Sequence, residues 1–188
     1  MLVLTEAKYH TDQEFKAYQA TLNRYKNKDQ STKIEYRDSL LLRLAQHTSA
    51  REAEVLGVRP IDVGVNSVTV FGVKGSNDRT IPLPKSFCKE LRLYANENNI
   101  ADTSPIFPMT TRHFRRVYSL YRPNPKKGAH CMRHTGALKL AKKTKDPQLV
   151  QYYLGHKSIT NTMVYINYLV KQSQLKHGMA GMWGQALN

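Results

Sequence analysis

The spacing of apolar positions divides the chain into a series of short helices around one small sheet. Thr11-Asp12-Gln13-Glu14 reads as a capping box. Phe15, Tyr18, Leu22 and Tyr25 follow at helical spacing, predicting a helix to about residue 28. A second helix is predicted over 33–47, with Ile34, Leu41, Leu44 and Ala45 on its buried face. The leucines at 40–42 place it deep in the core. A short helix over 51–56 can end at Gly57. The β signal is confined to 68–73 and 79–83, joined by turn formers over 74–78, and Pro82 suits an edge. Helices over 85–96 and 110–121 lead to a basic loop, 122–128, where two prolines and a glycine oppose regular structure.

The last third is densely helical. One helix covers 130–142. Asp146-Pro147 is an N-cap followed by proline at the first helical position, and Gly155 ends the helix it starts. Ser158 can cap the next helix, where Ile159, Met163, Ile166 and Val170 make an apolar stripe. Tyr165 lies about 100° off that stripe and is expected to point at a substrate. The pattern is mainly α with a small β-hairpin, an α+β chain.

The length, 188 residues, fits one ordinary domain with a small appendage. Charge sharpens the picture. Lys and Arg number 29 against 14 acidic residues, a net of +15, which is the footprint of a polyanion binder with nucleic acid first. The basic residues are dispersed, so a folded basic surface is expected rather than a disordered arm. Cys88 and Cys131 are far apart and match no metal spacing, which suits a reduced intracellular protein. No apolar run approaches membrane-spanning length and the first residues lack a signal-peptide pattern, so a cytoplasmic location is expected.

The stretch from His130 to Tyr165 gathers groups that can hold a phosphodiester, move protons around it and attack it. His130 and Arg133 share a helix face. A guanidinium offers a planar fork to two phosphate oxygens, and an imidazole can shuttle a proton near neutral pH. Singly, each candidate also has a plain structural reading. Arg51 with Glu54 one turn later could be an exposed ion pair, Lys74 a charged turn residue, His156 a cation at a helix end and Tyr165 core packing. His130, Cys131, His134 and His156 match no structural zinc spacing.

In chain order these residues form a more specific pattern. Thr48-Ser49-Ala50-Arg51-Glu52-Ala53-Glu54 resembles the Thr-Gly-x-Arg-x-x-Glu element of the tyrosine recombinases, the phage-integrase family. Lys74-Gly75 with Arg79-Thr80-Ile81-Pro82-Leu83 resembles that family's β-hairpin. His130-Cys131-Met132-Arg133-His134-Thr135 and Leu154-Gly155-His156 resemble its two best-known boxes, and Tyr165 follows at the expected distance. The resemblance runs over essentially the whole chain. One departure is Ser49, which stands where the family's pattern has glycine.

The resemblance implies the tyrosine recombinase catalytic-domain fold over 1–170, with 171–188 as a tail that docks on a neighbouring protomer. It implies site-specific recombination of double-stranded DNA by a homo-oligomer, a tetramer on DNA, using neither metal nor ATP. Tyr165 would be the nucleophile, with Tyr168 as its substitute. Arg51 and Arg133 would hold the phosphate, Lys74 would protonate the leaving oxygen, and His130 would shuttle the tyrosine proton. His156 would donate to the phosphate, Glu54 would support Arg51, and His134 would be supporting. A prokaryotic or viral origin is expected. Family members usually carry a separate N-terminal core-binding domain; the sequence is expected to be either a catalytic fragment without it or a minimal recombinase, with weak or partner-dependent DNA binding. Two other readings use the same residues: a non-catalytic DNA-binding protein that kept the fold, and a relaxing enzyme of the type IB topoisomerase kind.

Overall fold

The computed structural model describes residues 4–169 and 178–179. Helix α1, Asp12–Arg24, starts at the expected capping box: Thr11 Oγ1 accepts from the Glu14 N–H at 3.2 Å, and the Glu14 carboxylate accepts from the Thr11 N–H at 2.8 Å. It stops short of residue 28, and the chain makes a 3-10 turn at Lys28–Gln30, where Asn27 accepts from the Asp29 N–H. Helix α2, Lys33–Thr48, is the central post. Leu40, Leu41, Leu42 and Leu44 are all fully buried, so neighbours surround this stretch on every side. Each is worth about 1.5–3 kcal/mol on burial. Ile34, expected on the buried face, is 62% exposed, because the first turn of α2 lies ahead of the segment the core surrounds.

Ser49 ends α2 in the left-handed region, at φ 47°. This explains the glycine of the family pattern: the position turns the chain sharply from α2 into α3, Glu52–Leu56. The hairpin follows as β1, Ser67–Val70, and β2, Arg79–Pro82, antiparallel with Val68 opposite Ile81 and Val70 opposite Arg79. β1 is shorter than its apolar run, because the Asp78 carboxylate accepts the Gly72 N–H at 2.7 Å and draws the chain into a loop. Helices α4, Lys85–Glu97, and α5, Thr111–Tyr121, close the larger apolar cluster around α2 and the sheet.

Helix α6, His130–Thr144, packs on α2 and carries a second, smaller cluster with α7, Pro147–Leu154, and α8, Thr160–Leu169. Asp146 caps α7 and Gly155 ends it at φ 67°, as the sequence predicts. Helix α8 is turned differently from expectation. Its buried residues are Thr162 and Tyr165, while Ile159 is exposed and Met163 and Ile166 are half-buried. Val170, the last residue of the expected stripe, lies outside the described residues. So does the expected tail from 171, apart from Gly178 and Met179.

The segment before α1 crosses α6 and reaches α8. Leu4 joins the small cluster, the His10 N–H donates to Thr135 Oγ1 at 2.8 Å, and the hydroxyls of Tyr9 and Tyr168 are hydrogen-bonded at 2.8 Å. Beside it opens a cleft of about 860 Å³, lined by Tyr9, Leu138, Ala141, Ile166, Tyr168 and Leu169 among others and rimmed by Lys139, Lys142 and Lys145.

Helix α6 comes close to the end of α2 at Gly136. A Cβ there would sit 1.8 Å from Ser49 Oγ, which accepts a hydrogen bond from the Tyr153 hydroxyl at 2.9 Å. Gly136→Ala therefore drives the Ser49 hydroxyl from its bond and should lose about 1–3 kcal/mol in thermal denaturation. Adding Ser49→Gly removes the obstruction and relieves the left-handed serine, so the double variant should recover most of that loss.

Candidate active site

The site is assembled from a carboxylate outward. Glu54 lies in α3 with its side chain fully buried. Its Oε2 accepts from the Arg51 N–H at 2.9 Å and from Arg79 Nη2 at 2.8 Å, and its Oε1 accepts from Arg51 Nη1 at 3.2 Å. Arg133 Nη1 stands 4.0 Å from the same carboxylate. Burial alone would raise the Glu54 pKa, but the Arg79 guanidinium and the Arg51 N–H outweigh it and hold the group below the usual carboxylate range. Three guanidiniums share one negative charge, so the cluster is positive overall and suited to an anion.

The arginines are not equivalent. Arg133 is buried and spends both terminal nitrogens on backbone carbonyls, Ser49 and Leu154, each at 2.8 Å. Its pKa falls to about 10, first through burial and then through Arg51, and it stays charged at neutral pH. Arg51 keeps 34% of its side chain exposed and is the member open to a ligand. Arg79 is fully buried and was not anticipated as a site residue. A signal was present: it shares the inward face of β2 with Ile81, while Thr80 and Pro82 face out. An arginine at an inward strand position requires a buried acid.

Helix α6 brings His130, Arg133 and His134 to the same region. His134 is bonded to the Tyr165 hydroxyl, Nδ1 to Oη at 2.9 Å, and the ring of His130 lies edge-on to that of His134 with centroids 4.9 Å apart. His134 thus occupies the place beside the tyrosine that was expected of His130. Tyr165 is 2% exposed. The expectation of an outward-facing Tyr165 fails because α6 offers its hydroxyl a buried partner. Burial raises the Tyr165 pKa, and Arg133 and Arg51 pull it partly back, which sets the hydroxyl within their field. Tyr168 is engaged with Tyr9 instead.

His156 follows the left-handed Gly155 and is buried, with Nδ1 bonded to Thr162 Oγ1 at 3.0 Å. Thr162 was not anticipated; it sits one turn before Tyr165 on the same face. Lys74 is exposed at the tip of the hairpin loop at φ 51°, and no hydrogen bond or ion pair engages its ammonium among the described residues. No described contact brings its ammonium into the cluster. Among the described residues no group of three or more His, Cys, Asp or Glu could hold a metal ion. No described helix is long and apolar enough to cross a membrane.

The α+β body that carries these groups has the fold of the tyrosine recombinase catalytic domain. The phage integrase family model matches residues 14–172, and the chain belongs to that family. Among curated relatives, tyrosine recombinase XerA of Pyrococcus furiosus is 27% identical over 153 residues, covering 74% of this chain and 53% of the relative. Tyrosine recombinase XerH of Campylobacter jejuni is 28% identical over 146 residues, covering 70% and 41%. The chain spans about half the length of the curated relatives it matches. Similar solved structures include XerH recombinase bound to palindromic difH substrate in a post-cleavage complex, at TM-score 0.70 and 21% identity over 96% of this chain and 54% of that one. The catalytic domain of bacteriophage HP1 integrase matches at TM-score 0.60 and 17% identity, covering 94% and 96%.

The histidines predict an acid response. Burial is the first cause that lowers the pKa of His10, His134 and His156, each from 6.5 to about 4. The folded state holds these rings neutral while the unfolded chain takes up protons below 6.5. Their contribution is therefore complete above pH 6.5 and is lost as pH falls toward 4. Chemical denaturation at a series of pH values should show stability falling over that window. The slope should be shallower in His156→Gln, which removes one of the three groups.

Proposed function

We propose that this chain is the catalytic part of a site-specific DNA recombinase that cleaves double-stranded DNA through a 3′-phosphotyrosine and rejoins it, with no metal or ATP. The observation that carries this reading is the pairing of Tyr165 with His134 inside the field of Arg133 and Arg51. A buried tyrosine is protonated at neutral pH and needs both a proton acceptor and cations near the phosphate. Both are at hand.

In this reading the phosphodiester enters against Arg51, the open member of the cluster, with Arg133 behind it. As Tyr165 Oη bonds to phosphorus, its proton passes to Nδ1 of His134, beside the ring of His130. The bond from phosphorus to the 5′ oxygen breaks, and Lys74 gives that oxygen a proton. In the tautomer that accepts from Thr162 at Nδ1, the His156 ring carries its proton on Nε2, and that N–H donates a hydrogen bond to a phosphate oxygen. Glu54 holds Arg51 in place. One phosphodiester is exchanged for another, so a 5′-hydroxyl from a second strand reverses the step without an energy source.

The division into a catalytic domain, 1–170, and a tail, 171–188, belongs to the same proposal. The tail brings Met179, Met182, Trp183 and Leu187, and the apolar cleft beside α6 and α8 suits such a segment from a neighbouring protomer, giving a tetramer on DNA. A cytoplasmic protein of prokaryotic or viral origin fits this role.

Covalent capture from a pool of random nicked duplexes supplies the substrate for the test. Wild-type chain should yield a protein–DNA adduct stable to denaturant. Tyr165→Phe should yield none while binding the captured duplex about as well. Adduct formation by Tyr165→Phe, with its loss in Tyr168→Phe, would move the nucleophile to Tyr168. Arg51→Ala should slow adduct formation by about 100- to 1000-fold, the usual cost of one preorganised donor. Removing 171–188 should abolish the higher assembly seen by size analysis on DNA and leave single-protomer binding in place.

A further inference from the structure

We propose that Arg79 is a positioning residue: it holds the hairpin loop that carries Lys74 in register with the guanidinium cluster, and so sets the acid that protonates the leaving oxygen. This rests on the reading of Lys74 given above.

Arg79 ties together three separate pieces of chain. Nη2 donates to Glu54 of α3 at 2.8 Å, Nε donates to the Tyr153 carbonyl of α7 at 2.8 Å, and Nη1 donates to the Asn77 carbonyl of the loop at 3.3 Å. The side chain is fully buried, so these bonds form away from water. The loop has one further tie to α7, from the Asn77 N–H to the Gly155 carbonyl at 2.9 Å. The seam is tightly closed. A Cβ on Gly155 would lie 2.7 Å from both Arg79 Nη1 and the Asn77 oxygen.

Lys74 contributes nothing to its own placement. Its ammonium is without a described partner, and with Gly75, at φ 82°, it forms the left-handed tip of the loop. Its position is inherited from the base of the loop, and Arg79 is the first residue of β2 at that base. Neutralising Glu54 would need only one cation. Serving two carbonyls on different elements at the same time needs the planar fork of arginine, which lysine lacks.

The leaving group separates this role from general support. In the cleavage step the bond from Tyr165 Oη to phosphorus forms, the bond to the 5′ oxygen breaks, and that oxygen takes a proton from Lys74. With sulfur in place of the 5′ oxygen, the leaving thiolate belongs to a thiol of pKa about 8.5 and departs without a proton. The captured duplex would be made in both forms and single-turnover adduct formation measured on each.

Lys74→Met should cleave the oxygen substrate about 100-fold or more slowly, the usual share of general acid catalysis, and the sulfur substrate near the wild-type rate. Arg79→Lys keeps a cation for Glu54 but loses the fork. It should slow the oxygen substrate by about 10- to 100-fold, the usual cost of a displaced catalytic group, and cleave the sulfur substrate within about threefold of wild type. Equal slowing of both substrates, or of neither, overturns the role of Arg79. If sulfur does not rescue Lys74→Met, the acid assignment itself falls, and that result is distinct from failure of Arg79 alone. Should Arg79→Lys lose its melting transition, Arg79→Gln, whose amide can still donate to Glu54 but cannot also serve the Tyr153 and Asn77 carbonyls, must show the same split.

Discussion

Everything in the site depends on one buried carboxylate. Glu54 is out of contact with water, and an ionised group there is tolerated only because cations and N–H donors surround it. The dependence is mutual. Arg79 is equally buried, and without Glu54 its charge would be unsupported. The pair fixes α3, and thereby Arg51, relative to the sheet and α7. Arg133 then completes the arrangement from α6, held by the carbonyl of Ser49 at the end of α2 and that of Leu154 at the end of α7. Helix ends with unspent carbonyls are natural partners for a guanidinium.

This design separates positioning from contact. Arg133 and Arg79 direct their nitrogens at backbone carbonyls and at Glu54, and they are closed off. Arg51 and Lys74 retain exposure. The buried members hold the frame and supply a field, while the exposed members are free to meet a phosphate. The histidines divide in a similar way. His134 and His156 are buried and bonded to hydroxyls on one face of α8, so the tyrosine helix is docked through polar contacts as well as apolar ones.

Much of this was legible in the sequence wherever the signal is local. The Thr11 capping box, the Asp146-Pro147 start and the Gly155 stop act on their own backbone, and each formed as read. The order of Arg51, Glu54, Arg133 and Tyr165 was legible because short motifs carry it. What could not be read depends on partners distant in sequence. The apolar stripe of α8 predicted an outward Tyr165, but the hydroxyls of Thr162 and Tyr165 find imidazoles at His156 and His134, and burial follows the partner. Ile166 meanwhile borders a cleft. Arg79 looked like an ordinary strand residue until Glu54 was placed beneath it. Ile34 matched the period of α2, yet it stands exposed in the first turn, ahead of the buried leucines.

The segment before α1 closes the molecule on itself. Leu4 lies in the same apolar cluster as Tyr165, and Tyr9 meets Tyr168 across 159 positions of sequence. Contacts of such separation form slowly, because so much chain entropy is lost before they give any return. On a ribosome Arg51, Glu54 and Arg79 emerge before Tyr153, Leu154 and Tyr165, and the seat of α8 stays incomplete until both ends of the fold have been synthesised. The hydroxyl of Tyr165 is therefore among the last groups of the fold to be seated.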